Sequence, residues 1–266
     1  MELTVLVENT KVEGSGLGCE FGFSAFVEYD GSRILFDTGS SGLFIENAKK
    51  LGIDLGKTDF VILSHGHWDH AGGLPSLISD FDVKGMTFIS HPGIFEKKVH
   101  SSRPDIGCPL GKEDIEKAFG KCMFTKKPLE FLQGAIFLGE VSREYEDPGT
   151  CGNQVVDGKA VPDQIKDDSA IVFKTEKGPV LLTGCSHSGI LNLAKAAERY
   201  GKLRAVIGGF HLGDAPEQRL EKMISEFESM GIEELRPGHC TGDTSIRLME
   251  QNLNATRITT GDIIRI

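Results

Sequence analysis

Phe60-Val61-Ile62-Leu63-Ser64-His65-Gly66-His67-Trp68-Asp69-His70-Ala71-Gly72-Gly73 is the stretch on which the reading of this chain turns. Four apolar residues make a short buried strand, and the strand runs straight into three imidazoles and a carboxylate within six positions. Imidazole nitrogen and carboxylate oxygen are donors that divalent first-row metals accept, and a turn at this spacing aims side chains at two neighbouring ions. Gly66 leaves room for that turn. A solvated run of His and Asp is the alternative, and its position behind an apolar strand disfavours it.

Upstream, Leu3 to Val7, Ser24 to Tyr29 and Arg33 to Phe36 read as strands, the last two joined as a hairpin by Asp30-Gly31. A helix is predicted from about Leu43 to Leu51, with Ile45, Ala48 and Leu51 on one face. Downstream, Met86 to Ser90 is a strand ending at His91. The stretch from Pro92 to Asp168 reads as a decorated insertion, interrupted by Pro104, Pro109, Pro128 and Pro148. Strands follow at Ala170 to Phe173 and Val180 to Thr183, the latter entering Gly184-Cys185-Ser186-His187. A helix over Ile190 to Tyr200, a strand over Ala205 to Ile207 reaching Gly208-Gly209-Phe210-His211, and a helix over Pro216 to Met230 repeat the alternation. Glu234 to Arg236 then leads to Pro237-Gly238-His239, a helix follows from Thr244, and Asp262 to Ile266 closes as a strand. Histidines thus recur after successive apolar strands, so a shared sheet edge would gather distant parts of the chain.

With 39% hydrophobic and 26% charged residues over 266 positions, the chain fits one large folded domain and excludes a collagen-like or disordered one. The 33 glycines cluster next to His, Asp and Thr, where tight turns bring backbone close to a site. A net charge of −10 argues against a broad nucleic-acid surface and leaves room for a small metal-neutralised pocket. No window approaches about 18 uninterrupted apolar residues, and Glu2 and Glu8 sit where a signal peptide needs a basic then apolar run. The expectation is a cytoplasmic protein that binds neither membrane nor nucleic acid. Six cysteines without a CxxC pair read as reduced, structural thiols. The absence of GxSxG and GxxxxGK[ST] removes the serine-hydrolase and P-loop readings.

His187 and His239 both follow strand-like segments, where they can complete two coordination spheres; a histidine hydrogen-bonded to backbone is the alternative for either alone. Cys185 is either a metal-bound thiolate or a small buried apolar residue. His91 and His100 read as structural, and Lys97, Lys98, His100 and Arg103 as a solvated charged face, with a basic anion-binding edge as the competing reading.

The run His65 to His70, with Phe36-Asp37-Thr38-Gly39 before it and Leu182-Thr183-Gly184 after it, resembles the metallo-β-lactamase superfamily. Ser64 to His70, Gly184 to Ile190, Gly208 to Leu212 and Pro237 to Gly242 are together similar to one subgroup, often labelled dihydropterin ribofuranosyl-aminobenzene phosphate synthase-like. The resemblance implies an α/β (α+β) chain folded as an αββα sandwich, two mixed β-sheets flanked by helices, in a single domain over 1–266 with the insertion at about 92–168. It implies two divalent metal ions, zinc by default and manganese or iron as alternatives. His65 and His67 would hold one ion, and Asp69, His70 and His239 the other. No histidine lies between His100 and His187, where the superfamily places a third ligand, so His187 or, less favoured, Asp168 takes that role. Cys185 stands where many relatives carry a bridging Asp, so the bridge is a water or its thiolate. Asp37 either steadies a ligand imidazole from behind or caps the Thr38-Gly39 turn. His211 stands where related endonucleases carry a histidine near the leaving group, which makes it the general-acid candidate; a ligand or purely structural role competes.

These residues imply a hydrolase whose metal-activated water attacks an ester, phosphoester or related small, anionic substrate, with Asp69 orienting the water and His211 protonating the leaving group. The subgroup label implies instead a condensation of a dihydropterin diphosphate with an aminobenzene ribofuranosyl phosphate. A catalytically silent metal-binding or sensing module is the third expectation.

Overall fold

In the computed structural model, which describes residues 1–145, 151–213 and 215–266, the chain divides into two compact units. The first is built from Met1–Lys126, Thr150–Asp167 and Thr259–Ile266, and the second from Lys127–Gly149 and Asp168–Ile258. Pro148 lies outside the described residues.

The main sheet of the first unit runs Ile263–Arg265, Glu2–Val7, Ser24–Tyr29, Ser32–Phe36, Phe60–Ile62, Thr87–Ser90, Lys121–Phe124. Its first three pairings are antiparallel and its last three parallel, with Phe36 opposite Ile62 and Ile62 opposite Ile89. Parallel neighbours end at one rim. Asp37, the Ser64-His65 pair and His91 therefore leave the sheet on the same side. Helices Leu43–Lys50, Leu74–Asp80 and Lys112–Ala118 bury Phe44, Leu74, Leu77 and Ile115 against Leu35, Val61 and Phe88. Burial of each such side chain contributes roughly 1.5–3 kcal/mol. Glu46 in the first turn and Lys49 and Lys50 in the last turn of the Leu43–Lys50 helix complement its dipole.

The second unit carries the sheet Glu234–Gly238, Ala205–Gly209, Gly178–Thr183, Ala170–Thr175, Ala135–Phe137, Leu129–Leu132. Its three strands at residues 178–183, 205–209 and 234–238 are parallel, with Thr183 opposite Gly208 and Gly209 opposite Gly238. Helices Ile190–Glu198, Glu217–Met230 and Asp243–Asn252 pack Leu193, Ala197, Leu220, Phe227 and Met249 on Leu181, Val206 and Phe210. Gly231, at φ 60°, ends the long helix in the left-handed conformation that a residue without Cβ adopts freely.

The stretch expected as an insertion is shared between the units. Lys121–Phe124 and Ala135–Phe137 are integral members of the two main sheets, and the separate feature is a small sheet of Lys159–Pro162, Asn153–Val156 and Lys98–Val99. Lys98 corrects the expectation of a solvated basic face. It is fully buried, its Nζ 2.8 Å from Asp163 Oδ2 and 2.9 Å from Asp167 Oδ1. The cause is charge compensation: burial alone would lower the ammonium's pKa, but Asp167 and Asp163 outweigh it and the net shift is upward. Among the described residues no helix is long and apolar enough to cross a membrane.

Candidate metal centre

In the first unit the strand Phe60–Ile62 delivers Leu63, Ser64 and His65 to the sheet rim, and the chain then turns sharply. Gly66 is required there, because a Cβ would lie 2.4 Å from the Ile94 carbonyl oxygen. Its N–H donates to Asp167 Oδ2 at 2.8 Å, so the buried Lys98–Asp167 pair also anchors the backbone between His65 and His67. The run expected as a plain turn is half helical: Trp68–Ala71 forms one helical turn. Asp69 and His70 are therefore consecutive helical positions.

Asp37 organises these imidazoles. Fully buried and at φ 56°, its Oδ1 accepts the Ser64 N–H at 2.7 Å, and its Oδ2 accepts both the Ser64 hydroxyl and His70 Nδ1 at 2.7 Å. Of the two roles open to Asp37 from sequence, the geometry shows the contact to His70. Because the Ser64 hydroxyl proton is committed to Asp37, its oxygen accepts from His65 Nδ1 at 2.9 Å. Both histidines are thus held as tautomers that present Nε2, the arrangement that metal-binding imidazoles use. His65 Nε2 lies 3.0 Å from His67 Nδ1, a separation at which one nitrogen donates to the other or both offer lone pairs to one cation. His70 Nε2 lies 3.5 Å from Asp69 Oδ2. Burial lowers the pKa of His67 to about 4 against the opposing pull of Asp69 and Asp167, so the ring is neutral at neutral pH.

In the second unit the parallel strands deliver Cys185, His187, His211 and His239 from their carboxyl ends. Donor atoms of Cys185 lie within 4.8 Å of those of His187 and of His239, and all three side chains are buried. The His187 and His211 rings are 4.4 Å apart between centroids. The local backbone is strained: Ser186, His211 and His239 have φ of 63°, 53° and 49°. Hydrogen bonds hold these turns. Ser186 Oγ donates to the Gly209 carbonyl at 2.6 Å, Phe210 N–H to Thr241 Oγ1 at 3.0 Å, and Thr241 Oγ1 to the Gly238 carbonyl at 2.6 Å. Asp168, the less favoured ligand candidate, receives the Ser188 N–H on Oδ2 at 2.7 Å.

Sequence reasoning gave Cys240 only the role of a structural thiol; it donates to the Cys185 carbonyl at 3.4 Å. Burial would raise its thiol, but the Cys185 side chain, His239 and His211 bring it down. Ser64 and the Lys98 pair were also missed; Lys98 lies 65 and 69 positions from its partners, beyond any local signal. His91 accepts the Gly93 N–H at 2.9 Å through Nδ1, and His100 Nδ1 pairs with Ser102 Oγ at 2.6 Å.

Buried imidazoles, two of them held as tautomers that present Nε2, together with one carboxylate and a buried thiol make donor sets that fit a divalent first-row cation. Sheets delivering such residues at the ends of parallel strands define a metallo-β-lactamase fold, and the chain belongs to the metallo-β-lactamase superfamily, whose family model matches residues 17–189. Among relatives, it is 33% identical over 260 residues to the 7,8-dihydropterin-6-methyl-4-(β-D-ribofuranosyl)-aminobenzene-5'-phosphate synthase of Methanocaldococcus jannaschii, covering 91% of this chain and 88% of that protein. Its structure is similar to that of a metal-dependent hydrolase of the β-lactamase superfamily, with TM-score 0.87, 30% identity and coverage of 100% of this chain and 99% of the other. A diphosphatase of the PhnP family shares the fold alone, at TM-score 0.54 and 16% identity, with 100% and 97% covered.

Proposed function

We propose that this chain is a metal-dependent hydrolase of small anionic esters, phosphoesters or related substrates. Two divalent ions, zinc by default, would be held by His65, His67 and His187 and by Asp69, His70 and His239, with Cys185 as a further candidate donor. When bound, such ions acidify a water and offset charge developing on the reacting oxygen. Asp69 orients the attacking water, and His211, on its strained turn, donates a proton to the departing oxygen. Asp37 and Ser64 keep His70 and His65 in the required tautomers. The observation that carries the reading is the buttressing of His65 and His70 through their Nδ1 atoms, which leaves Nε2 of each as the ligating atom.

The test pairs metal analysis with turnover of model phosphoesters. Two ions per chain and single-substrate hydrolysis are expected, with Asp69→Asn keeping the fold and losing turnover by at least about 100-fold. Unchanged kinetics at full metal content would exclude that role for Asp69. Metal binding with no turnover on a broad panel of esters, phosphodiesters and pterins would favour the silent module.

The name of the 33% identical relative favours a second reading, a condensing synthase in which the ions bind a departing diphosphate. That reading requires activity only when a dihydropterin diphosphate and an aminobenzene ribofuranosyl phosphate are both present.

A further inference from the structure

We propose that Phe21, Trp68 and Arg103 form a binding subsite for a planar aromatic ring that carries a phosphate-like anion, next to the His65 to His70 run. The proposal deepens the metal-enzyme reading and rests on it for its place in the reaction.

Trp68 is the one tryptophan of the chain and sits between His67 and Asp69, at the start of the helical turn. The Phe21 ring stacks on it, with centroids 6.1 Å apart and planes inclined by 28°. Phe21 is nevertheless 54% exposed, so this aromatic surface is presented to solvent. The guanidinium of Arg103 lies over the Trp68 ring, its Cζ 3.9 Å from the centroid.

Three chain segments meet here, and the two outside the His65 to His70 run are tied to it by backbone. Phe23 N–H donates to the Asp69 carbonyl at 3.2 Å, and Trp68 N–H donates to the Ile106 carbonyl at 3.0 Å. The Ser40 hydroxyl donates to the Phe21 carbonyl. Gly22, at φ +154°, lets the first segment close in, because a Cβ there would stand 2.6 Å from the Asp69 carbonyl oxygen. Arg103 uses Nε on the Asp105 carbonyl at 3.0 Å, and among the described residues no carboxylate pairs with it. In a chain of net charge −10, an exposed cation that no described carboxylate pairs, beside a donor set, is a feature suited to an anion. Stacked rings supply a flat apolar face, and the fork of the guanidinium supplies paired donors at its edge. A ring phosphate ester matches both.

Phenylphosphonate and methylphosphonate are inert to phosphoester hydrolysis and differ only in the ring, so they test the subsite without turnover. Binding to the metal-loaded protein is followed by fluorescence of Trp68 and by calorimetry. Phenylphosphonate is expected to bind about tenfold more tightly than methylphosphonate. Phe21→Ala should abolish most of that preference, and Arg103→Met should weaken both ligands by a similar factor, with metal content unchanged in each variant. Equal affinity for the two ligands, or an undiminished ring preference in Phe21→Ala, overturns the proposal. Hydrolysis of alkyl phosphoesters without ring preference would sink the subsite and leave the enzyme reading standing. Ring-selective binding without any turnover would do the reverse.

Discussion

The two units supply candidate metal donors in physically different ways. In the first, His65, His67, Asp69 and His70 come from six consecutive positions, and a buried carboxylate fixes His70 directly and His65 through Ser64. In the second, Cys185, His187, His211 and His239 come from three separate strand ends, and backbone strain with hydroxyl bonds does the fixing. A charge in a dry environment is a stiff support but leaves a large deficit when removed. Hydroxyl-to-carbonyl bonds are individually weaker, and the strain of left-handed residues has to be offset by several of them.

Replacing the carboxylate should therefore have the largest effect. Asp37→Ala strands the Ser64 amide, the Ser64 hydroxyl and His70 Nδ1, all buried, and is expected to cost about 4 kcal/mol in urea unfolding along with loss of metal affinity. An effect below about 1 kcal/mol would remove the contrast between the units.

Lys98 extends the first unit's reliance on buried charge. Lys98→Met leaves Asp163 and Asp167 facing each other without their cation and is expected to cost about 3 kcal/mol. Because the folded-state pKa of Lys98 is raised, its stabilisation is complete below the ordinary value of 10.5 and falls away as pH rises through the raised one. Wild-type stability measured by denaturant at rising pH should drop in that alkaline window, and Lys98→Met should show a smaller drop there.

The corresponding change in the second unit is Ser186→Ala, which deletes the bonds to the Gly209 carbonyl and Thr183 Oγ1 and should cost about 1–2 kcal/mol by the same unfolding assay. If it matched Asp37→Ala, the distinction between charge support and hydroxyl support would fail.

Much of the fold was legible because apolar alternation and helical periodicity are local. The strands at residues 2–7, 24–29, 32–36, 170–175 and 178–183 and the helices at 43–50, 190–198 and 217–230 all lie where periodicity placed them, to within a few residues. The helices Leu74–Asp80 and Lys112–Ala118 went unread, being too short for a periodic signal to build up. Strands such as Lys121–Phe124 and Ala135–Phe137 owe their state to pairing with distant neighbours. Lys98 was misread for a related reason, since a lysine's burial depends on carboxylates that only folding brings to it.

By itself the sequence determined the donor-rich run His65 to His70, the apolar strand ahead of it and the recurrence of histidines after strands, because all three are properties of neighbouring residues. Tertiary structure alone decided that Asp37 and Ser64 select the tautomers of His70 and His65, that Lys98 is buried against two acids, and that Phe21 and Arg103 flank Trp68. Those outcomes depend on atoms tens of positions apart meeting within hydrogen-bond or ring-contact distance, and only strand register and the closure of specific turns set such meetings.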